Sequence, residues 1–227
     1  MKVLGIDTST LLGGVALLDG NVLRAETRLN VKVAHSERLL GEIFGCLRQC
    51  AMSIDEVDVI AFAIGPGSFT GLRVGLSTVK GLSFAAGKRV VAVSTLEAFA
   101  WNAAFSMYPV CPLLDARRKE VYGAVYQWVG NGFDRLVPEG AYPIGDMLRR
   151  LHGPTLFLGE GAMLYQSVIK QEMGSAAYFG SPEMMAPAPA HVAWIGAQLA
   201  EKEVFADPIT LVPRYRRRSE AEIKDGC

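Results

Sequence analysis

The chain has 227 residues, half of them hydrophobic, and its 23 basic side chains balance 23 acidic ones. This length, with a positive mean hydropathy, gives one large domain or two small lobes around a sizeable core and excludes an intrinsically disordered chain. The balanced charge excludes a global basic field for nucleic acid, so any contact with RNA has to be local or borrowed from a partner. Cys46, Cys50, Cys111 and Cys227 form no CxxC pair and read as reduced thiols, with Cys46 and Cys50 packing on one helix face. Asp7 interrupts the opening apolar run before a signal-peptide core can form. The longest uncharged stretch, from Ala98 to Leu114, contains Asn102, Pro109 and Pro112 and makes a poor membrane helix. The expectation is a soluble, cytoplasmic protein.

In chain order, apolar runs at Val3 to Ile6, Gly13 to Leu18 and Val22 to Leu29 predict an antiparallel meander, with Asp19-Gly20 as a tight turn. Helical spacing of Leu39, Leu40, Ile43, Phe44 and Leu47 predicts a helix from Ala34 to Cys50. A buried strand follows over Val57 to Ile64, then the turn Gly65-Pro66-Gly67, a helix from Ser68 to Ala86 and a strand at Arg89 to Val93. After a helix around Thr95 to Ala104 the pattern repeats in outline. A hairpin is predicted over Val110 to Asp115 and Glu120 to Trp128, joined by the charged turn Ala116 to Lys119, with Phe133 to Val137 as a further strand. Helices at Asp146 to Leu151 and Ala162 to Met173 bracket a strand at Thr155 to Leu158. Gly180 to Pro189 reads as a linker before a helix from His191 to Glu201. The expected architecture is α/β with two lobes, residues 1–104 joined by 190–227, and residues 105–189.

Two motifs bear on chemistry. Gly5-Ile6-Asp7-Thr8-Ser9-Thr10 puts an aspartate and three hydroxyls where the first strand turns into a hairpin. In the superfamily of actin, sugar kinases and heat-shock chaperones such a turn approaches nucleotide phosphates and a metal, but the same residues also serve ordinary turns. The string Gly65 to Gly75 places glycines at a strand end and Ser68 or Thr70 at a helix start, a geometry that holds an anion or simply makes a tight connection. Along this helix Gly71, Gly75, Thr78, Leu82 and Ala85 form a seam of mostly small residues, and Leu72, Leu76, Val79, Ser83 and Ala86 run beside it. A helix apolar on two sides is buried on both, either as a central core helix or with one side at a protein interface. Leu39-Leu40 and Ile43-Phe44 leave the same two readings open for the first helix.

The string GPGSFTGLRVGLSTVKGL, the opening GIDTST, the segments His35 to Leu39 and Val93 to Ala98, and the hairpin Leu114 to Tyr122 together resemble the TsaB (YeaZ) family. The similarity is strongest over the first hundred residues; Tyr215-Arg216-Arg217 also resembles the family. The resemblance implies a two-lobed ASKHA fold (that of the same superfamily) and a place in the complex that forms threonylcarbamoyladenosine in tRNA. It implies a TsaD-like catalytic subunit as partner, a TsaE-like ATPase joining through the complex, a homodimer as a competing assembly, tRNA met only indirectly, and no cofactor. TsaD carries an HxxxH metal site just after the strand corresponding to Arg89 to Val93; here Thr95 and Phe99 fall at those places, and neither is a suitable ligand. His35, His152 and His191 have no metal-binding spacing. The expected role is a non-catalytic subunit whose interface includes Leu39, Ile43, Cys46, Gly71, Gly75, Thr78, Leu82 and Ala85, with Asp7, Thr8 and Ser9 as a vestigial nucleotide turn. The alternative is a stand-alone ASKHA-type phosphotransferase or ATP-binding enzyme. Direct tRNA contact by Arg214, Arg216, Arg217 and Arg218 stays open, a tail balanced by Glu220 and Glu222 being the plainer reading.

Overall fold

The computed structural model describes residues 1–30 and 35–215. The chain opens with β1 (Lys2–Asp7), β2 (Leu12–Asp19) and β3 (Val22–Asn30), followed by α1 (His35–Gln49), β4 (Val59–Gly65), α2 (Phe69–Ala86), β5 (Arg89–Ser94) and α3 (Thr95–Ala100). Next come β6 (Val110–Asp115), β7 (Glu120–Val129), β8 (Gly132–Pro143), α4 (Ile144–Leu148), β9 (Thr155–Leu158), α5 (Glu160–Leu164), α6 (Gln166–Met173) and β10 (Ala177–Phe179). The last element is α7 (Pro189–Glu201). The chain divides into two compact units, Met1–Ala98 with Pro187–Arg214, and a second built on Phe99–Ala186. Among the described residues no helix is long and apolar enough to cross a membrane.

The first sheet has the order β3-β2-β1-β4-β5, an antiparallel meander extended by two parallel strands. β1 and β4 lie inside it, and their sequences are almost continuously apolar because helices cover both faces. Period-two alternation sorts the side chains by size. Leu4, Ile6, Ile60, Phe62 and Ile64 join one core with Leu39, Ile43, Leu47, Leu72, Leu76 and Val79 of α1 and α2. The opposite face presents Val3, Gly5 and Ala61, against which α7 lies close enough that its Gly196 faces the Ala61 methyl. Each buried Leu, Ile or Phe stabilises the unit by about 1.5–3 kcal/mol. After α7 the chain covers the sheet edge, Ala206 N–H donating to Val90 O at 2.8 Å and Arg214 N–H to Ile64 O at 2.9 Å.

The second sheet has the order β10-β9-β6-β7-β8. Read from its own first strand, β6 takes the place of β1, β7 and β8 continue the meander, and β9 and β10 add in parallel as β4 and β5 do. The two units therefore share one topology, and the repeated sequence pattern is a structural duplication.

Local sequence misplaced several elements of the second unit. β8 runs well past Val137, because an edge strand tolerates Pro138, which has no N–H to donate. The helix predicted over Ala162 to Met173 is two helices with Tyr165 between them out of helical geometry. The helix predicted around Thr95 to Ala104 ends at Ala100 and passes into a 3-10 turn, Trp101–Ala103. β10 has three residues, too few for a readable alternation.

A partly buried polar cluster ties β3 to α7. Glu26 Oε1 accepts Ala190 N–H at 3.0 Å at the start of the helix, and Oε2 pairs with Arg28 at 2.8 Å. His191, beside them, has Nδ1 buried without a hydrogen bond. Burial holds its imidazole down to about 4 against the opposing pull of Glu26, with Arg28 adding to the depression. A folded pKa below the unfolded value of about 6.5 means that the unfolded chain takes up the proton first as pH falls. The contribution is whole above pH ~6.5 and is lost toward pH ~4, amounting to about 3 kcal/mol. The thermal transition of His191→Gln is expected to fall less between these pH values than that of the wild-type protein. Parallel curves would contradict this assignment.

Candidate functional site

The β1–β2 turn is closed by its own side chains. Asp7, Thr8, Ser9 and Thr10 are all buried. Ser9 donates both its N–H (2.8 Å) and its hydroxyl (2.6 Å) to Asp7 Oδ1, Thr8 Oγ1 donates to Gly71 O at 2.8 Å, and Thr10 Oγ1 donates to Leu12 O. From the other side Ser68 N–H donates to Ser9 O at 2.6 Å, and Ser68 Oγ caps α2 through Gly71 N–H at 3.3 Å. All three hydroxyls of the turn are engaged within the unit. Thr8 and Ser9 thereby clasp the meander to the start of α2, while Asp7 holds Ser9 through Oδ1 and keeps Oδ2 buried without a hydrogen bond.

The clasp sets how close α2 comes. A Cβ on Gly71 would stand 2.1 Å from Thr8 O, and one on Gly75 would stand 2.1 Å from Thr8 Oγ1 and 2.6 Å from the Phe62 ring. The glycines of the predicted seam are thus required inside the unit. Leu82 also belongs to the core, as do Leu39, Ile43 and Cys46 of α1. This corrects the expected interface: Leu39, Ile43, Cys46, Gly71, Gly75 and Leu82 face the sheet and are unavailable to a partner. Of the predicted set, Ala85 is exposed and Thr78 half-buried.

The outward sides of the two helices carry a different set. On α1, Leu40 and Phe44 are 47% and 41% exposed, and on α2 Phe84 is 94% exposed. Gly41, Gly45 and Gly81 lie in these helices with no atom within reach of an added Cβ. A glycine inside a helix costs about 1 kcal/mol relative to alanine, and nothing in the unit requires these three. The signal was present in the pairs Leu39-Leu40 and Ile43-Phe44, since one member of each adjacent pair has to point away from the sheet.

Burial, and secondarily Cys50, pushes the Cys46 thiol up to about 11, and burial pushes Cys111 higher still. Among the described residues no three His, Cys, Asp or Glu side chains gather as a metal site would need. Thr95 and Phe99 are buried, and His152 is exposed. Arg214 is exposed, whereas Arg216, Arg217 and Arg218, and the side chains of residues 35–37, lie outside the described residues.

Two units of one topology, each a three-stranded meander extended by two parallel strands, define the class as an ASKHA-type α/β protein. A sequence profile described as TsaD, tRNA N6-adenosine threonylcarbamoyltransferase, matches residues 29–224. The tRNA threonylcarbamoyladenosine biosynthesis protein TsaB of Bacillus subtilis is 35% identical over 99% of this chain and 97% of its own length. Its namesake in Escherichia coli is 35% identical over 58% of each chain. A Pseudomonas aeruginosa structure described as similar to the peptidase YeaZ superposes with a TM-score of 0.81, at 26% identity, over 95% of this chain and 99% of that one. The chain belongs to the TsaB family.

Gly75→Ala is expected to lower stability by about 1–3 kcal/mol, because the buried Phe62 ring and the Thr8 hydroxyl, which is held by Gly71 O, cannot yield the space. Gly41→Ala, in open space, is expected to raise it by roughly 0.5–1 kcal/mol. Thermal unfolding of both variants checks the two signs together. Calorimetry of the isolated chain with ATP is expected to show no micromolar binding; such binding, abolished by Asp7→Ala, would reopen the phosphotransferase reading.

Proposed function

We propose that this chain is a non-catalytic subunit of the machinery that forms threonylcarbamoyladenosine in tRNA, and that it binds and supports a TsaD-like catalytic subunit. The outward face of α1 and α2 carries the reading. It combines exposed Leu40, Phe44 and Phe84 with glycines that the unit itself does not need, as close helix–helix approach requires. The names of the relatives supply the pathway, and the engaged hydroxyls of the β1–β2 turn argue against an independent phosphotransferase. Ala85 and Thr78 stand at the margin of this face. A TsaE-like ATPase joins through the catalytic subunit, the working compartment is the cytoplasm, and a second copy of the chain competes for the same face.

The test is affinity for a TsaD-like subunit, with tRNA modification in a reconstituted mixture as second readout. Leu40→Glu with Phe44→Glu is expected to weaken binding by a hundredfold or more, at about 2 kcal/mol or above for a central apolar contact, and to abolish modification. Both side chains are partly exposed already, so the thermal transition should move little. Unchanged affinity in the folded double variant would place the interface elsewhere. Modification activity by the chain alone would make it an enzyme.

A further inference from the structure

After α7 the chain returns along the first unit and runs beside α2. Ala206 N–H is bonded to Val90 O on the outer strand β5, the Lys80 ammonium donates to Ile209 O at 3.0 Å, and Arg214 N–H donates to Ile64 O. A Cβ on Gly65 would stand 2.9 Å from Arg214 O and 3.1 Å from Leu72 Cδ1. The segment from Asp207 to Arg214 therefore passes α2 from Lys80 toward Leu72, as a strap antiparallel to the helix.

The strap holds its own shape. Asp207 Oδ1 accepts Ile209 N–H at 2.9 Å, Oδ2 accepts the Thr210 hydroxyl at 2.9 Å, and Asp207 O accepts Leu211 N–H at 3.0 Å. Pro208 and Pro213 fix φ at two further positions. Leu211 packs against the core and Pro213 is buried, so these two anchor the segment. Ile209 and Val212 face the other way, 87% and 67% exposed. Apolar side chains scattered singly are ordinary at a surface, but these two are not single. Lys80 and Phe84 stand on successive turns of α2, and Phe84 is 94% exposed, so Phe84 and Ile209 flank the same ammonium.

We propose that Ile209 and Val212 extend the partner face of α1 and α2, and that their occupant is the TsaD-like subunit; the choice of partner rests on the function proposed above. Continuity carries the inference. Leu40 and Phe44 on α1, Phe84 on α2, and Ile209 and Val212 on the strap are exposed apolar side chains on three neighbouring segments of one unit. A stable complex covers about 800 Å² on each partner. Phe84 and the half-covered Phe44 and Leu40, at no more than about 250 Å² for a whole aromatic side chain, leave much of that area to other residues. The strap supplies a further apolar row, and a segment already locked by Asp207 and two prolines loses little freedom on docking. The subunit surface that meets it is apolar.

The test is calorimetric titration of the full chain with a TsaD-like subunit, comparing wild type, Ile209→Asp with Val212→Asp, and the Leu40→Glu, Phe44→Glu variant. Because both strap side chains stand in water, the thermal transition is expected to stay where it is, while binding weakens about ten- to thirtyfold, less than for the α1 change. Ile209→Ser with Val212→Ser, which removes apolar area without adding charge, should weaken it about three- to tenfold. Hydrogen exchange at the amides of residues 209–212 should slow when the subunit binds. Wild-type affinity in both strap variants would overturn the proposal, as would exchange that does not slow. Loss of self-association with unchanged affinity for the subunit would assign the strap to a second copy and overturn it as well. In each of these cases the functional reading stands if wild type binds the subunit and the α1 variant does not. A wild-type chain that binds no such subunit ends the functional reading, and this inference with it.

Discussion

Thr8 donates its buried hydroxyl to the Gly71 carbonyl across 63 residues of chain, and this contact forms only because Gly71 and Gly75 carry no side chain. A single methyl at either position would overlap backbone oxygen or the Phe62 ring, so α2 is held against the first hairpin at a separation few other sequences would permit. The rest of the first unit follows from that contact. With α2 set down on the turn, its rotation is settled, the Leu72-Leu76-Val79 stripe meets Ile60, Phe62 and Ile64, and α1 fills the remaining width of the sheet. The outward face, with its unneeded glycines, is what remains.

The same contact decides the chemistry of the turn. In a nucleotide-binding turn the hydroxyls and backbone groups await phosphate oxygens. Here Ser9 and Thr8 have found Asp7 and Gly71 instead. Aspartate, hydroxyls and glycines at these places are compatible with either use; here α2 rests on the hairpin. A closed turn fits the non-catalytic role proposed above.

Duplication makes the two units a natural comparison. Both build a three-stranded meander and extend it with two parallel strands, yet the first hairpin is buried in one and lifted out in the other. In the first unit short hydroxyl side chains fold inward and find partners within about 3 Å. In the second, left-handed backbone at three successive residues carries long cations away from the strands. One scaffold thus presents buried hydroxyls and exposed basic side chains at equivalent places. Function resides in what is grafted on the fold.

Much was settled by sequence alone. Apolar runs marked β1 as a strand of the opening meander and β4 as a buried strand, the hairpin turns were legible at Asp19-Gly20 and Ala116 to Lys119, and the motifs around Asp7 and Gly65 to Gly75 carried the family. Thr95 and Phe99 could be read as unsuited to a metal because ligand chemistry belongs to the residue itself. Sequence could not say which stripe of α1 or α2 faces inward. Each helix carries two apolar or small stripes of similar spacing, and periodicity records spacing without direction. The small-residue seam at Gly71 and Gly75 announces a close approach but not its partner, which leaves a core helix and an interface equally open. Only the tertiary structure decided that the partner is Thr8 and Phe62 of the same chain, because the contact depends on where a strand distant in sequence places its side chains.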